Sequence, residues 1–171
     1  MNTMRQPTLR LTCTLTGRGW VEAALSDGSN ELTLTASYLS DALSDLLWIV
    51  ISLVEGAQEG TCTWQQEPGE YRWLFSRQGE QIEIRLLWFQ QTFSQRPDEE
   101  GECHLLLTCA LLKFATKIQR QYKHLLTTWG DVGYRETWRY PFPHTELLKL
   151  KNLLARARQH SKNAGTLSES G

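Results

Sequence analysis

From residue 8 the chain alternates Thr8, Leu9, Arg10, Leu11, Thr12, Cys13, Thr14, Leu15, Thr16, with apolar side chains on one side and mostly threonine on the other. A period of two with β-branched outer positions is the pattern of a half-buried strand. Gly17-Arg18-Gly19 turns the chain into a second apolar run, Trp20 to Leu25, and 26–30 (SDGSN) leads to a third alternation at Leu32, Leu34 and Ala36. These features predict an antiparallel meander. The period changes at Ser40, which reads as a helix cap; Asp41 follows, then apolar residues at 42, 43, 46, 47, 50, 53 and 54, and Gly56 closes the segment. Trp48, Ile49 and Ile51 lie off that stripe, so the helix is apolar nearly all round and is expected to be buried on more than one side or against a partner.

Three more strands are predicted at 61–66, 71–77 and 81–89, separated by Glu67-Pro68-Gly69-Glu70 and Gln78-Gly79-Glu80. Tyr71, Trp73 and Phe75 share one face of the second, and Ile82, Ile84, Leu86 and Trp88 share one face of the third; both stripes read as core. Residues 90–101 (QQTFSQRPDEEG) read as an exposed loop. A strand at 102–107 precedes a long helix with apolar residues at 110, 111, 114, 115, 118, 122, 125, 126 and 129, ending before Gly130. A loop over 131–144 then leads to a last helix, capped by Thr145 and running to about 159. The expected architecture is α+β: one antiparallel sheet of six to seven strands, one buried helix after the first meander, and two C-terminal helices. Residues 1–160 form a single domain in this reading, and 161–171 a disordered tail.

The length of 171 residues with 40% hydrophobic content supports one core, and 18 Lys and Arg against 19 Asp and Glu leave a net charge of −1. No overall basic field exists to hold a nucleic acid. The longest uncharged apolar run, 46–54, is about half of the roughly 20 residues that cross a bilayer. The first ten residues lack the apolar stretch of a secretory signal, which predicts a cytoplasmic chain without membrane contact. Four cysteines without a CxxC spacing read as reduced thiols, Cys13 and Cys62 being in phase with apolar strand positions.

No dinucleotide, Walker-type, zincin, serine-hydrolase or calcium-loop motif is present, so no catalytic residue, metal or cofactor is assigned. Cys103, Cys109, His104, His124 and His144 show no ligand or nucleophile spacing; His104 and His124 read as solvent-facing. Asp41 and Asp45 fit the dipole of a helix start, and Glu67 and Glu70 fit a solvated turn. Charge distribution carries more information. Between Arg18 and Arg72 there is no Lys or Arg, while nine acids occur: Glu22, Asp27, Glu31, Asp41, Asp45, Glu55, Glu59, Glu67 and Glu70. Such a stretch either faces the basic C-terminal helices of the same chain or steers a basic protein partner.

Tyr38-Leu39-Ser40-Asp41-Ala42-Leu43 with Asp45-Leu46-Leu47, then Glu67-Pro68-Gly69-Glu70-Tyr71-Arg72-Trp73, then Gly133-Tyr134 with Trp138 and Pro141-Phe142-Pro143 resemble a group of small uncharacterised bacterial proteins. In size and style the chain also resembles immunity proteins that accompany polymorphic, contact-dependent or type VI toxins. The resemblance, over roughly 38–154, implies a non-enzymatic module that binds and neutralises a cognate toxin, and it brings no site residues with it. From charge and exposure, Glu59, Glu67, Glu70 and Asp98, Glu99 and Glu100 are the expected rim, with Trp64 or Phe93 as the aromatic anchor. The alternative is a small-molecule-binding or hydrolytic domain with a pocket lined by Trp73, Trp88, Trp129 and Trp138. A basic helix face of Lys113, Lys117, Arg120 and Lys123 reads as solvated rather than as an RNA site.

Overall fold

The computed structural model describes residues 8–168. Strands β1 (Arg10–Gly17), β2 (Trp20–Ser26) and β3 (Glu31–Ser37) form one antiparallel sheet in that order. Helix α1 (Ala42–Glu55) follows. Strands β4 (Glu59–Gln65), β5 (Glu70–Gln78), β6 (Gln81–Phe89) and β7 (Glu102–Ala110) form a second antiparallel sheet, again in chain order, before α2 (Leu111–Trp138) and α3 (His144–Ser168). The α+β class and the meander match the sequence pattern, but the seven strands form sheets of three and four, not one sheet. The cause lies at the junction: α1 packs on β4, and β3 lies near β4 without joining it in a ladder. Gly60 shows how close that packing is, since a Cβ there would sit 2.6 Å from Ile49 Cγ2.

One connected core joins both sheets and all three helices, with Trp64, Trp73, Tyr122, Tyr134 and Trp138 fully buried. Its centre is α1, of which seven residues are buried. Asp41, not Ser40, is the N-cap; its side chain accepts from the Ser44 N–H at 3.3 Å and from Trp138 Nε1 at 2.9 Å. The buried Tyr122 hydroxyl donates to the Leu43 carbonyl. Two aromatic donors therefore tie the start of α1 to α2, one through the cap carboxylate and one through a first-turn carbonyl. Cys13 and Cys62 are buried, and all four cysteines are free. Burial pushes the Cys13 thiol up to about 12.

The expected loop at 131–144 is largely helical. Gly130, at φ 66° and ψ 176°, breaks α2, which resumes and runs to Trp138 before Arg139 ends it at φ 82°. Tyr134 and Trp138, four apart and both 0% exposed, explain the resumption, because together they bury one helical face. Strand β7 also outlasts its predicted end at 107. Helix α3 starts one residue before Thr145 and continues through 161–168, where an unstructured tail is expected; residues 161–166 are exposed, so backbone bonding rather than packing carries this extension. The remaining three tail residues lie outside the described ones. Among the described residues no helix is long and apolar enough to cross a membrane.

Replacing Gly60 by alanine should force α1 away from β4. The expected loss is about 1–3 kcal/mol, the usual range for overpacking a tight contact, read from urea unfolding. An unchanged midpoint would mean that Ile49 yields freely.

Candidate functional site

Asp45 and Trp48 are three apart on α1 and so share a helical face. Thr61, Thr63 and Gln65 alternate along β4 and share a strand face. Together they line a cleft of about 550 Å³ beside the Ile49–Gly60 contact, closed on a third side by Phe93 and its neighbours from the 90–101 segment. Trp48 is 46% exposed and Phe93 58% exposed, so two aromatic rings stand at its rim. Trp48 also lies 5.7 Å from the Lys149 ammonium of α3, a cation held in turn by Glu55 at 2.9 Å.

The third wall is fixed by a buried ion pair. Glu70 is 1% exposed on the outer face of β5 and contacts Arg72 at 3.3 Å, two residues on and hence on the same face. The second carboxylate oxygen accepts from Gln65 Nε2 at 2.9 Å, and Gln65 Oε1 accepts the Phe93 N–H at 2.9 Å. Arg72 donates to the Ser94 and Arg96 carbonyls at 3.2 and 3.0 Å and to Asp98 at 2.6 Å, with its guanidinium 4.2 Å from the Phe89 ring centroid. Nη1 and Nη2 each make two of these contacts, a set that the three donors of a lysine ammonium cannot match; the planar fork ties Glu70 to the 94–98 segment. Beneath it Leu74, Leu87 and Phe89 form a small second core.

Asp45 has no such partner. Partial burial, and then the charge of Asp41 one turn earlier, raise its carboxyl above the ordinary value of 3.8. Cys62 also lines the cleft, but burial and the Asp45 charge push its thiol up, which leaves it a neutral wall rather than a thiolate nucleophile. Among the described residues no three His, Cys, Asp or Glu side chains are grouped to hold a metal ion. The arrangement presents negative charge between two aromatic faces, with no cation among the described residues paired to Asp45.

The predicted site residues separate. Trp64 is 0% exposed in the core, packed 5.2 Å from Trp73, and is no anchor; the same alternation that buries Cys62 turns it inward. Glu70 is a buried structural ion-pair member, not a rim residue. Phe93 is exposed at the cleft as expected. Glu59 and Glu67 are exposed near the two ends of β4. Asp98, Glu99 and Glu100 form an exposed 3-10 turn in which Asp98 is tied to Arg72 and Glu100 to Arg96. Asp45 and Trp48 were missed, although Trp48 lying off the apolar stripe was the signal for it. The four tryptophans proposed to line a pocket do not meet: Trp73 and Trp138 are buried in the core, Trp88 packs on Tyr71, and Trp129 lies at the break in α2.

His104 is exposed, as its alternation predicts, but its ring is not without partners. A bulge pairs Leu86 with Leu105 and Leu87 with Cys103, skipping His104 and turning its ring toward Tyr71, whose hydroxyl is 2.9 Å from His104 Nδ1. Glu102 lies 3.5 Å from His104 Nε2. Burial and then the Glu102 charge push the Tyr71 hydroxyl up, so this trio stabilises a neutral phenol and not a phenolate.

Two outcomes follow. Arg72→Ala would leave Glu70 buried and unpaired and should cost about 3–5 kcal/mol in chemical denaturation, far more than an exposed pair; a loss near that of a surface pair would contradict the hub. Because the folded-state pKa of Asp45 is raised, stability present below 3.8 is lost as pH rises through the raised value. Asp45→Asn should therefore melt slightly higher than the wild type at neutral pH, by less than about 1 kcal/mol given solvent screening, and match it in acid. No protein-family model, no curated protein and no solved structure matches the chain.

Proposed function

We propose that this chain is a non-enzymatic protein-binding module, an immunity protein of the cytoplasm that binds and neutralises a cognate toxin through a basic surface. The observation that carries the reading is unspent negative charge. Of the nine acids between Arg18 and Arg72, Glu55 pairs with Lys149 and Glu70 with Arg72, while the other seven have no cation within ion-pair distance among the described residues. Of the basic C-terminal helices, Lys149 of α3 makes one of these two ion pairs, and most of the charge is left for a partner. Long-range attraction of a basic partner would speed encounter, and the exposed Trp48 and Phe93 would supply the desolvated contact that acids alone do not. Free thiols throughout fit a reducing compartment.

The test is purification of the tagged protein from its native cells beside a Trp48→Ala/Phe93→Ala double variant. The reading expects a stoichiometric basic polypeptide that is toxic when expressed alone and harmless when co-expressed with this chain. The double variant should lose at least about 2 kcal/mol of affinity, the scale of an aromatic hot spot. A partner-free wild type, or equal binding by the double variant, contradicts it.

A further inference from the structure

The cleft has a chemistry more specific than general acidity. Asp45 carries a carboxylate with another carboxylate, Asp41, one turn away and no cation among the described residues paired to it. Arg72 of β5 is committed to Glu70, Asp98 and two carbonyls, and Lys149 is committed to Glu55. The hydroxyls of Thr61 and Thr63 line the cleft and make no hydrogen bond among the described residues, and the buried Ser40 Oγ at the same cleft has no partner among them either. Trp48 and Phe93 flank these acceptors with exposed aromatic faces. An unpaired carboxylate, several unused oxygen acceptors and two π faces are what a planar, multiply donating cation requires.

We propose that the cleft between α1 and β4 receives an arginine side chain of the partner, its guanidinium on Asp45 and its plane against Trp48 or Phe93. Arginine fits better than lysine because it offers five donors to dispersed acceptors and can stack, whereas an ammonium is a compact charge that holds its water more tightly. Binding would also remove the repulsion that Asp41 and Asp45 exert on each other, so occupancy relieves a cost already present in the free protein. This inference rests on the protein-binding reading given above and adds to it the identity of the central contact.

The test uses short blocked peptides Ac-Gly-Xaa-Gly-NH2, with Xaa arginine, lysine or citrulline, titrated into the isotope-labelled full chain at low salt and followed by amide shifts. Citrulline keeps the shape of arginine and removes its charge. The arginine peptide should shift amides of α1 near Asp45, of β4 and of Phe93, with millimolar affinity. Citrulline should bind at least about tenfold more weakly, equivalent to ~1.4 kcal/mol. Lysine should fall between them, and Asp45→Asn should abolish the preference for arginine over citrulline. Equal binding of arginine and citrulline, shifts confined to other surfaces, or no shift at all would overturn the proposal. The two readings fail separately: a natural partner whose affinity is unmoved by Asp45→Asn sinks the arginine contact alone, while selective arginine binding without any natural partner sinks the immunity reading alone.

Discussion

The buried pair of Glu70 and Arg72 is the constraint on which the candidate site depends. Glu70 is almost wholly removed from water, and a carboxylate in that position is tolerable only when paired and fully hydrogen-bonded. Arg72 meets that need and, with its remaining donors, holds Ser94, Arg96 and Asp98 of a segment whose composition would otherwise leave it loose. Gln65 links the same carboxylate to the Phe93 backbone, so one ring at the rim of the cleft is positioned by the ion pair in β5. A polar network of this kind adds little net stability compared with an apolar replacement; its contribution is to fix one arrangement of the loop.

The opposite wall is positioned by different means. Helix α1 is anchored at its start by Trp138 and Tyr122 from α2 and pressed against β4 where Gly60 leaves room for Ile49. Beside that contact Asp45 and Trp48 line the cleft. One wall thus stands on a helix and a strand and the other on a loop held by Arg72 and Gln65, and side chains fixed in this way limit the ordering cost of binding. Asp45 is the member of this site that the fold disfavours, since partial burial and Asp41 both oppose its charge.

Local periodicity made the strands, the meander and α1 legible in the sequence, because each of these depends on alternation or on a helical stripe within a few residues. What escaped depends on distant contacts. That seven strands divide into two sheets follows from α1 lying against β4, and no pattern within either strand records it. Glu70 beside a Pro-Gly turn reads as solvated until Arg72 and the loop some 20 residues later cover it. The helix after Gly130 was hidden by turn-forming residues, although Tyr134 and Trp138 at a spacing of four carried its signal. Trp64 was misjudged despite sharing phase with the buried Cys62, whereas Phe93 was correctly placed outside. Trp48 was visible as an anomaly on α1, but the cleft it borders requires β4 and Phe93, which only the tertiary structure brings to it.

The claim that this cleft is the partner-binding surface is tested most directly by amide hydrogen exchange on the protein alone and with its captured partner. The account predicts slowed exchange concentrated in α1 near Asp45 and Trp48, in β4 and around Phe93, with the basic face of α2 unchanged. Protection centred on Lys113, Arg120 and Lys123 of α2, with the cleft exchanging as in the free protein, would contradict it.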